Sequence, residues 1–410
     1  MAGGNLAREM KATEHLYYRD PLLLTFEAAV IARSEWKGAP SVILDQSAFY
    51  AEAGGQMADR GALAGRAVVD VQIDDDGLVH HVLEGGALPE VGERVMGTVD
   101  RARRRVHMAL HTGQHLLSRA LTDIAGASTV SARLGESGCT VDLDRDGVDE
   151  RRIAEAEAAV NAVIEDDLPV RAFFPTPEEL REIPLRSAPK VLEDIRVVAV
   201  GTFDFTPCGG THCTHSAQVG LVRVVGVERH KGKARVLFSA GARARGEVIA
   251  ETGVLRDLAR SFTCAPRDVP AGVERLRREL GDARDALGRA QAKVVDAVAV
   301  ELAAEARTTG RVVAVIDDVG PDLLRALAGK VTAVPDAVAF LAGRSPEGLA
   351  VIVARSASAT LDCGAFLKRA TARAGGRGGG KPDRAEGRLP AGADWRALVE
   401  SLAPGSAWSR

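Results

Sequence analysis

What this 410-residue chain has little of narrows its reading before any motif does. Five cysteines scattered over that length cannot build the dense disulfide framework of a small secreted domain, and in a reducing compartment thiols grouped with histidines read as metal ligands. No apolar run is long enough to cross a bilayer, and the N-terminal MAGGNLAREMKATEH lacks the basic-then-apolar order of a signal peptide, so no membrane association and a cytoplasmic setting are expected. Aromatic residues make up 4% of the chain, which leaves little for base stacking, and a net charge of −3 gives no global attraction for a polyanion. Any nucleic-acid surface must therefore be local and work through shape and backbone. What is abundant is ordinary for a globular protein, with 46% hydrophobic and 27% charged residues, over a length that suits two or three domains.

Periodicity divides the chain. The first ninety or so residues alternate apolar and polar positions, with turn chemistry at Ala53-Gly54-Gly55 and Asp76-Gly77, which predicts a small β-barrel or meander. From Arg101 the apolar positions Val106, Leu110, Leu116, Leu117 and Leu121 recur at helical spacing. Strands resume at GCTVDLD, a helix follows at RRIAEAEAAVNAVIEDD, and β segments return through IRVVAVG and VGLVRVVGVERHKGKARVLFSAG. Beyond Gly241 the series Val273, Leu276, Leu280, Ala283, Leu287, Ala290, Val294 and Ala297 steps by three and four, a heptad seam that needs a partner helix or a second subunit. Short apolar strands and helical stretches close the chain, with the glycine run AGGRGGGKPDRAEGR among them. The expectation is an α+β protein: a β-barrel over 1–97, an α+β domain over 98–240, a helical coiled-coil-like segment over 241–308 and a small glycine-rich α/β domain over 309–410.

The chemistry concentrates in TPCGGTHCTHSAQVG, where Cys208 and His212 flank two glycines that let backbone wrap closely around an ion. A borderline metal such as zinc takes four sulfur and nitrogen ligands in a tetrahedron, with one position open where it is catalytic. HTGQH in the predicted helix supplies a second pair, because His111 and His115, four residues apart, project from one face. His107 has the same spacing from His111, but the preceding RARRR reads as a helix start; Cys213 and His215 read as a partly buried thiol and a surface imidazole.

In order along the chain, TEHLYYRDPLLLTFEA, LDQSAFYAEAGGQMADRG, HTGQHLL, CGGTH and GGRGGGKPD resemble the stand-alone alanyl-tRNA editing proteins, the AlaX group, whose motifs are shared with the editing half of alanyl-tRNA synthetase. The resemblance spans nearly the whole chain and fits the long form of that group. It implies hydrolysis of mischarged tRNA(Ala), releasing serine or glycine, with zinc (Zn2+) held by His111, His115, Cys208 and His212. It also implies a homodimer through the helical segment. Since the barrel begins within the first twenty residues, no ATP-dependent aminoacylation is expected. Ser47 stands where the group commonly has a threonine thought to recognise the serine hydroxyl, and the loss of the methyl is expected to loosen that discrimination. Gln114 either reaches the substrate, backs the ligands or faces solvent. AGGQ either brings the backbone at Gly54, Gly55 and Gln56 to the terminal adenosine or is a glycine turn joining strands.

Two basic stretches are candidates for tRNA phosphates. One is RARRRVH, with Arg104 and Arg105 beside Arg101 and Arg103; the other is KRATARAGGRGGGKPDR, with Arg377, Gly379 and Lys381 among flexible glycines whose amides can approach phosphate oxygens. Against the enzyme stands a non-catalytic tRNA-binding or oligomerising module with zinc as a closed structural clamp, and, within the enzyme class, a deacylase for another aminoacyl-tRNA.

Overall fold

The computed structural model describes residues 12–189, 191 and 193–403, so most of the stretch read for a signal peptide lies outside the described residues. The architecture is mixed α and β, in two compact units that divide between Asp257 and Leu258.

In the first unit, six strands pair in a closed circuit: Thr25–Trp36, Ala39–Leu44, Val79–Leu83, Arg66–Ile73, Gly61–Leu63 and Arg94–Val99, the last returning to the first. Alternation turns one side of each strand inward, where Phe26, Val30, Leu44, Phe49, Leu63, Val71 and Val95 form the core. Each such side chain contributes about 1.5–3 kcal/mol when fully removed from water.

The chain then enters helix α1, Arg101–Ala125. The Asp100 carboxylate caps it by accepting from the Ala102 and Arg103 amides, and Gly126, in the left-handed region at φ 60°, ends it. Helix α1 is buried on nearly every side. Met108, Leu110, Leu116 and Leu121 pack with Val141, Val160, Val236 and Phe238, which come from a second helix, Glu150–Glu165, and from a four-stranded antiparallel sheet. A helix so enclosed is a rigid mount for whatever projects from it. A small antiparallel sheet of Val170–Phe173, Val197–Val200 and Asp204–Pro207 delivers the chain to Cys208.

The second unit contains the helix Val269–Thr309 and a five-stranded sheet ordered Arg311–Asp317, Val338–Ser345, Gly348–Arg355, Arg384–Leu389, Arg377–Gly380. Only the first pair is parallel. The glycine run is not a flexible segment, as the sequence had suggested, but the edge strand of this sheet. Small size is needed there: a Cβ on Gly378 would lie 2.7 Å from the Gly387 Cα, and one on Gly364 would lie 2.8 Å from the Gly380 carbonyl oxygen. Absent side chains thus let helix Cys363–Ala374 approach the sheet.

The long helix uses two stripes. Val295, Ala299 and Ala306 are buried in the α/β core, whereas Leu276, Leu280, Leu287 and Val294 of the heptad series are exposed. Among the described residues, no helix is long and apolar enough to cross a membrane.

Candidate metal and active site

Four side chains from two distant stretches converge. His111 and His115 on α1, and Cys208 and His212 on the loop after Asp204–Pro207, bring one donor atom each within 4.8 Å of one another. The Cys208 Sγ lies 3.4 Å from Nε2 of His111 and 3.4 Å from Nε2 of His212. Zinc–sulfur and zinc–nitrogen bonds of about 2.3 and 2.0 Å in a tetrahedron place such donors roughly 3.5 Å apart, so the spacing fits a shared ion.

The far nitrogen of each ring faces a polar side chain, within hydrogen-bond distance for His111 and His212. His111 Nδ1 is 2.6 Å from Gln56 Oε1, His212 Nδ1 is 3.3 Å from Thr112 Oγ1, and His115 Nδ1 faces Asp204 Oδ2 at 3.6 Å. Partners of this type fix which nitrogen carries the proton and leave the other lone pair for an ion. Gln56 is itself held, donating to Thr211 Oγ1 at 2.8 Å and accepting from the Thr211 amide at 3.2 Å. Asp204, fully buried, also receives Arg186 Nε at 2.9 Å and Thr206 Oγ1 at 2.8 Å.

Electrostatics agree with the geometry. Burial pushes the Cys208 thiol up, but His111 and His212 beside it outweigh burial and hold it well below its ordinary value, favouring the thiolate that binds metal. Burial and the neighbouring His111 push His212 down to about 3. Burial also opposes the charging of His115, yet Asp204 and Cys208 raise it.

The glycines of CGGTH have unequal tasks. A Cβ on Gly210 would sit 2.2 Å from His111 Cε1, whereas one on Gly209 would meet nothing nearer than the Tyr18 hydroxyl at 3.3 Å. His107 is buried on α1 but outside the cluster, Cys213 is a buried thiol and His215 is exposed.

Other candidates lie elsewhere. The Gln114 amide donates to Ser118 Oγ at 2.7 Å along α1. Ser47 is buried in the barrel region with its hydroxyl 2.8 Å from His81 Nε2. His81 Nδ1 is 3.2 Å from the Val42 carbonyl, and burial lowers this imidazole to about 4, so the neutral ring donates to Val42 and receives the proton of Ser47. Gly54 and Gly55 have φ of 58° and 87°, and Gly55 packs so tightly on the neighbouring strand that a Cβ would fall 2.3 Å from the Ala132 carbonyl oxygen. The turn thereby carries Gln56 to His111.

Arg104 requires a correction. Expected at the surface for phosphate, it is buried: Nε reaches Asp59 Oδ2 at 3.0 Å, Nη2 reaches the same oxygen and the Ala48 carbonyl, and Nη1 reaches the Pro21 carbonyl at 2.9 Å. Four of its five N–H donors are taken and the side chain is 1% exposed, so it offers nothing to a surface ligand. Arg105 and Arg101 are exposed beside it. In the second unit, Arg377, Gly379 and Lys381 are exposed on or next to the edge strand.

Gln56, Thr112 and Asp204 as ligand supports escaped the sequence reading. The available signal was Asp204 itself, a carboxylate four residues before Cys208 in DFTPC.

Three family models match: tRNA synthetases class II (A) over residues 5–103, the threonyl and alanyl tRNA synthetase second additional domain over 195–237, and the DHHA1 domain over 309–403. Cys208 and His212 fall in the second, and His111 and His115 in none. The alanyl-tRNA editing protein AlaX-L of Pyrococcus horikoshii is 32% identical over 65% of this chain and 67% of its own length. The chain belongs to the alanyl-tRNA editing protein family. Alanine–tRNA ligases of Halorubrum lacusprofundi and Archaeoglobus fulgidus are 33% and 34% identical over 96% and 94% of this chain. It spans only 43% of the length of each ligase. In this editing-family chain, the four donors join the segment matched as the second additional domain to the helix preceding it.

Proposed function

We propose that this protein is a trans-acting editing hydrolase that deacylates mischarged tRNA(Ala), releasing serine or glycine. The observation that carries the reading is the donor set of one cysteine and three histidines, backed by Gln56, Thr112 and Asp204, in a member of the alanyl-tRNA editing family. His111, His115, Cys208 and His212 would hold zinc. When bound, the ion polarises a carbonyl or a water, or orients the amino group of the substrate. The chain's own residues do the rest: Gln56 and Asp204 keep the Nε2 atoms of His111 and His115 aimed at the centre, and the enclosing core limits water. On this reading the barrel (1–97) and the donor domain (98–240) form the editing part. Arg105 together with Arg377, Gly379 and Lys381 engages the tRNA backbone, adding a salt-dependent, sequence-independent attraction.

The test is hydrolysis of seryl-, glycyl- and alanyl-tRNA(Ala) by the purified chain, alongside its metal content. Loss of serine or glycine with alanine spared, abolished in Cys208→Ala together with bound zinc, is the expected result. Four protein ligands can also close a purely structural site. Hydrolysis by zinc-free protein would overturn the zinc reading; tRNA binding without hydrolysis would make the protein a binding module.

The 241–308 segment is assigned to dimerisation. Leu276, Leu280 and Leu287 expose half or more of their surface on one stripe of a 41-residue helix, and such a seam is hidden by a second copy. Leu280→Asp with Leu287→Asp is expected to halve the mass seen by light scattering. An unchanged dimer, or a wild type that is already monomeric, would remove this assignment.

A further inference from the structure

Beside the donor cluster, within the first unit, lies an open cleft of about 510 Å³ whose wall includes Tyr18, Arg19, Arg171, Phe173, Arg196 and the donor residue His212. Its composition is unusual for this chain. Phe173 and Phe174 are adjacent and exposed by 38% and 51% in a protein with only ten phenylalanines, and Phe174 meets the Tyr18 ring edge-on at 5.8 Å. Exposed neighbouring rings cost solvation and serve no core, which marks a surface used for contact.

The cations differ from those elsewhere. Arg104 and Arg186 each face a buried aspartate, but Arg196, 6% exposed, has no carboxylate partner among the described residues. Its Nη1 donates to the carbonyls of Cys208 and Gly210, both at 2.9 Å, its guanidinium lies 4.8 Å from the centre of the Tyr18 ring, and its buried Nε has no partner. Arg171, and Arg19 with its ion pair to Glu14 at 2.8 Å, are exposed in the same lining. Rings able to take a flat base, cations able to take phosphate, and a metal donor in the same wall together describe a channel for unpaired nucleotides.

We propose that this cleft binds the unpaired 3′ end of a tRNA, with Phe173 stacking a base, Phe174 bordering the cleft through its contact with Tyr18, and Arg19, Arg171 and Arg196 facing the phosphates, so that the acyl ester arrives at His212. This rests on the editing reading and goes beyond it by assigning the 3′ end to the aromatic wall. It also places the base away from Gly55, which packs on Ala132.

The experiment compares binding of the full chain to uncharged tRNA(Ala) with and without its unpaired 3′ nucleotides. Removal of those nucleotides is expected to weaken wild-type binding roughly tenfold or more, the scale of one or two stacked bases. Phe173→Ala with Phe174→Ala is expected to bind intact tRNA as weakly as the truncated form, with truncated binding and metal content unchanged. Arg171→Gln, a surface change that leaves the rings in place, should lower the same preference. A double variant that retains the full preference for the intact end, or a wild type indifferent to that end, overturns the proposal. The two readings fail separately. Cleavage of mischarged tRNA with the preference intact in the double variant sinks the cleft alone, whereas a 3′-end preference lost in the variant, in a wild type that cleaves nothing, sinks editing alone.

Discussion

Gly210→Ala is expected to strip the metal centre and abolish hydrolysis, although it adds a single methyl group. The added Cβ would lie 2.2 Å from His111 Cε1, 2.4 Å from His111 Nδ1 and 3.0 Å from Gln56 Oε1. None of these atoms can yield cheaply. His111 stands on a helix buried on nearly every side, and its Nδ1 is tied to Gln56 at 2.6 Å. The loop is pinned by Arg196, which holds the carbonyls on both sides of Gly209. Relief therefore comes from shifting Cys208 or rotating His111, either of which breaks the donor set. Loss of one supporting contact around a ligand typically costs 10–100-fold in metal affinity, and misplacement by about 1 Å costs on the order of a hundredfold in rate. At least both are expected here, read by metal analysis and by release of serine from seryl-tRNA(Ala). Gly209→Ala, whose Cβ would approach only a hydroxyl at 3.3 Å, should keep its metal. Full occupancy and activity in Gly210→Ala would show that the four donors do not act as one site.

The same contrast explains what could be read from the sequence. His111 with His115, and Cys208 with His212, are local pairs whose spacing of four carries their geometry, and so they were legible. The turn of alternating strands into a long helix at Arg101 was legible for the same reason. Gln56, Thr112 and Asp204 arrive by tertiary paths. Gln56 meets His111 across 55 residues, and Thr112 meets His212 across 100, which no period announces. The glycine run misled differently. Glycine signals freedom when seen alone, but here the missing Cβ atoms admit Gly387 and helix Cys363–Ala374, so the run is ordered by close packing.

Arg104→Met carries the other large effect, and it decides between a phosphate contact and a structural tie. In RARRR, Arg104 is one charge among four, and nothing nearby reveals Asp59, which lies 45 residues earlier. Both side chains are essentially inaccessible, and the pair joins α1 to the loop preceding Gly61–Leu63. The guanidinium also satisfies the carbonyls of Pro21 and Ala48. Methionine fills similar space but leaves Asp59 with the Tyr50 amide at 2.8 Å as its remaining hydrogen bond to Oδ2. Removing one member of a buried ion pair costs about 3–5 kcal/mol, because the other charge stays uncompensated. For a unit of this size, that corresponds to a fall in Tm of roughly 6–20 °C by calorimetry. Arg104→Met with Asp59→Asn should recover part of the loss, since the orphan charge is gone while an acceptor for Tyr50 remains. A surface phosphate ligand would behave in the opposite way, with Tm unmoved, tRNA affinity reduced and the double variant no better than the single. That pattern would return Arg104 to the tRNA interface and leave the junction to other ties such as Arg103 Nε to the Ala58 carbonyl at 2.8 Å.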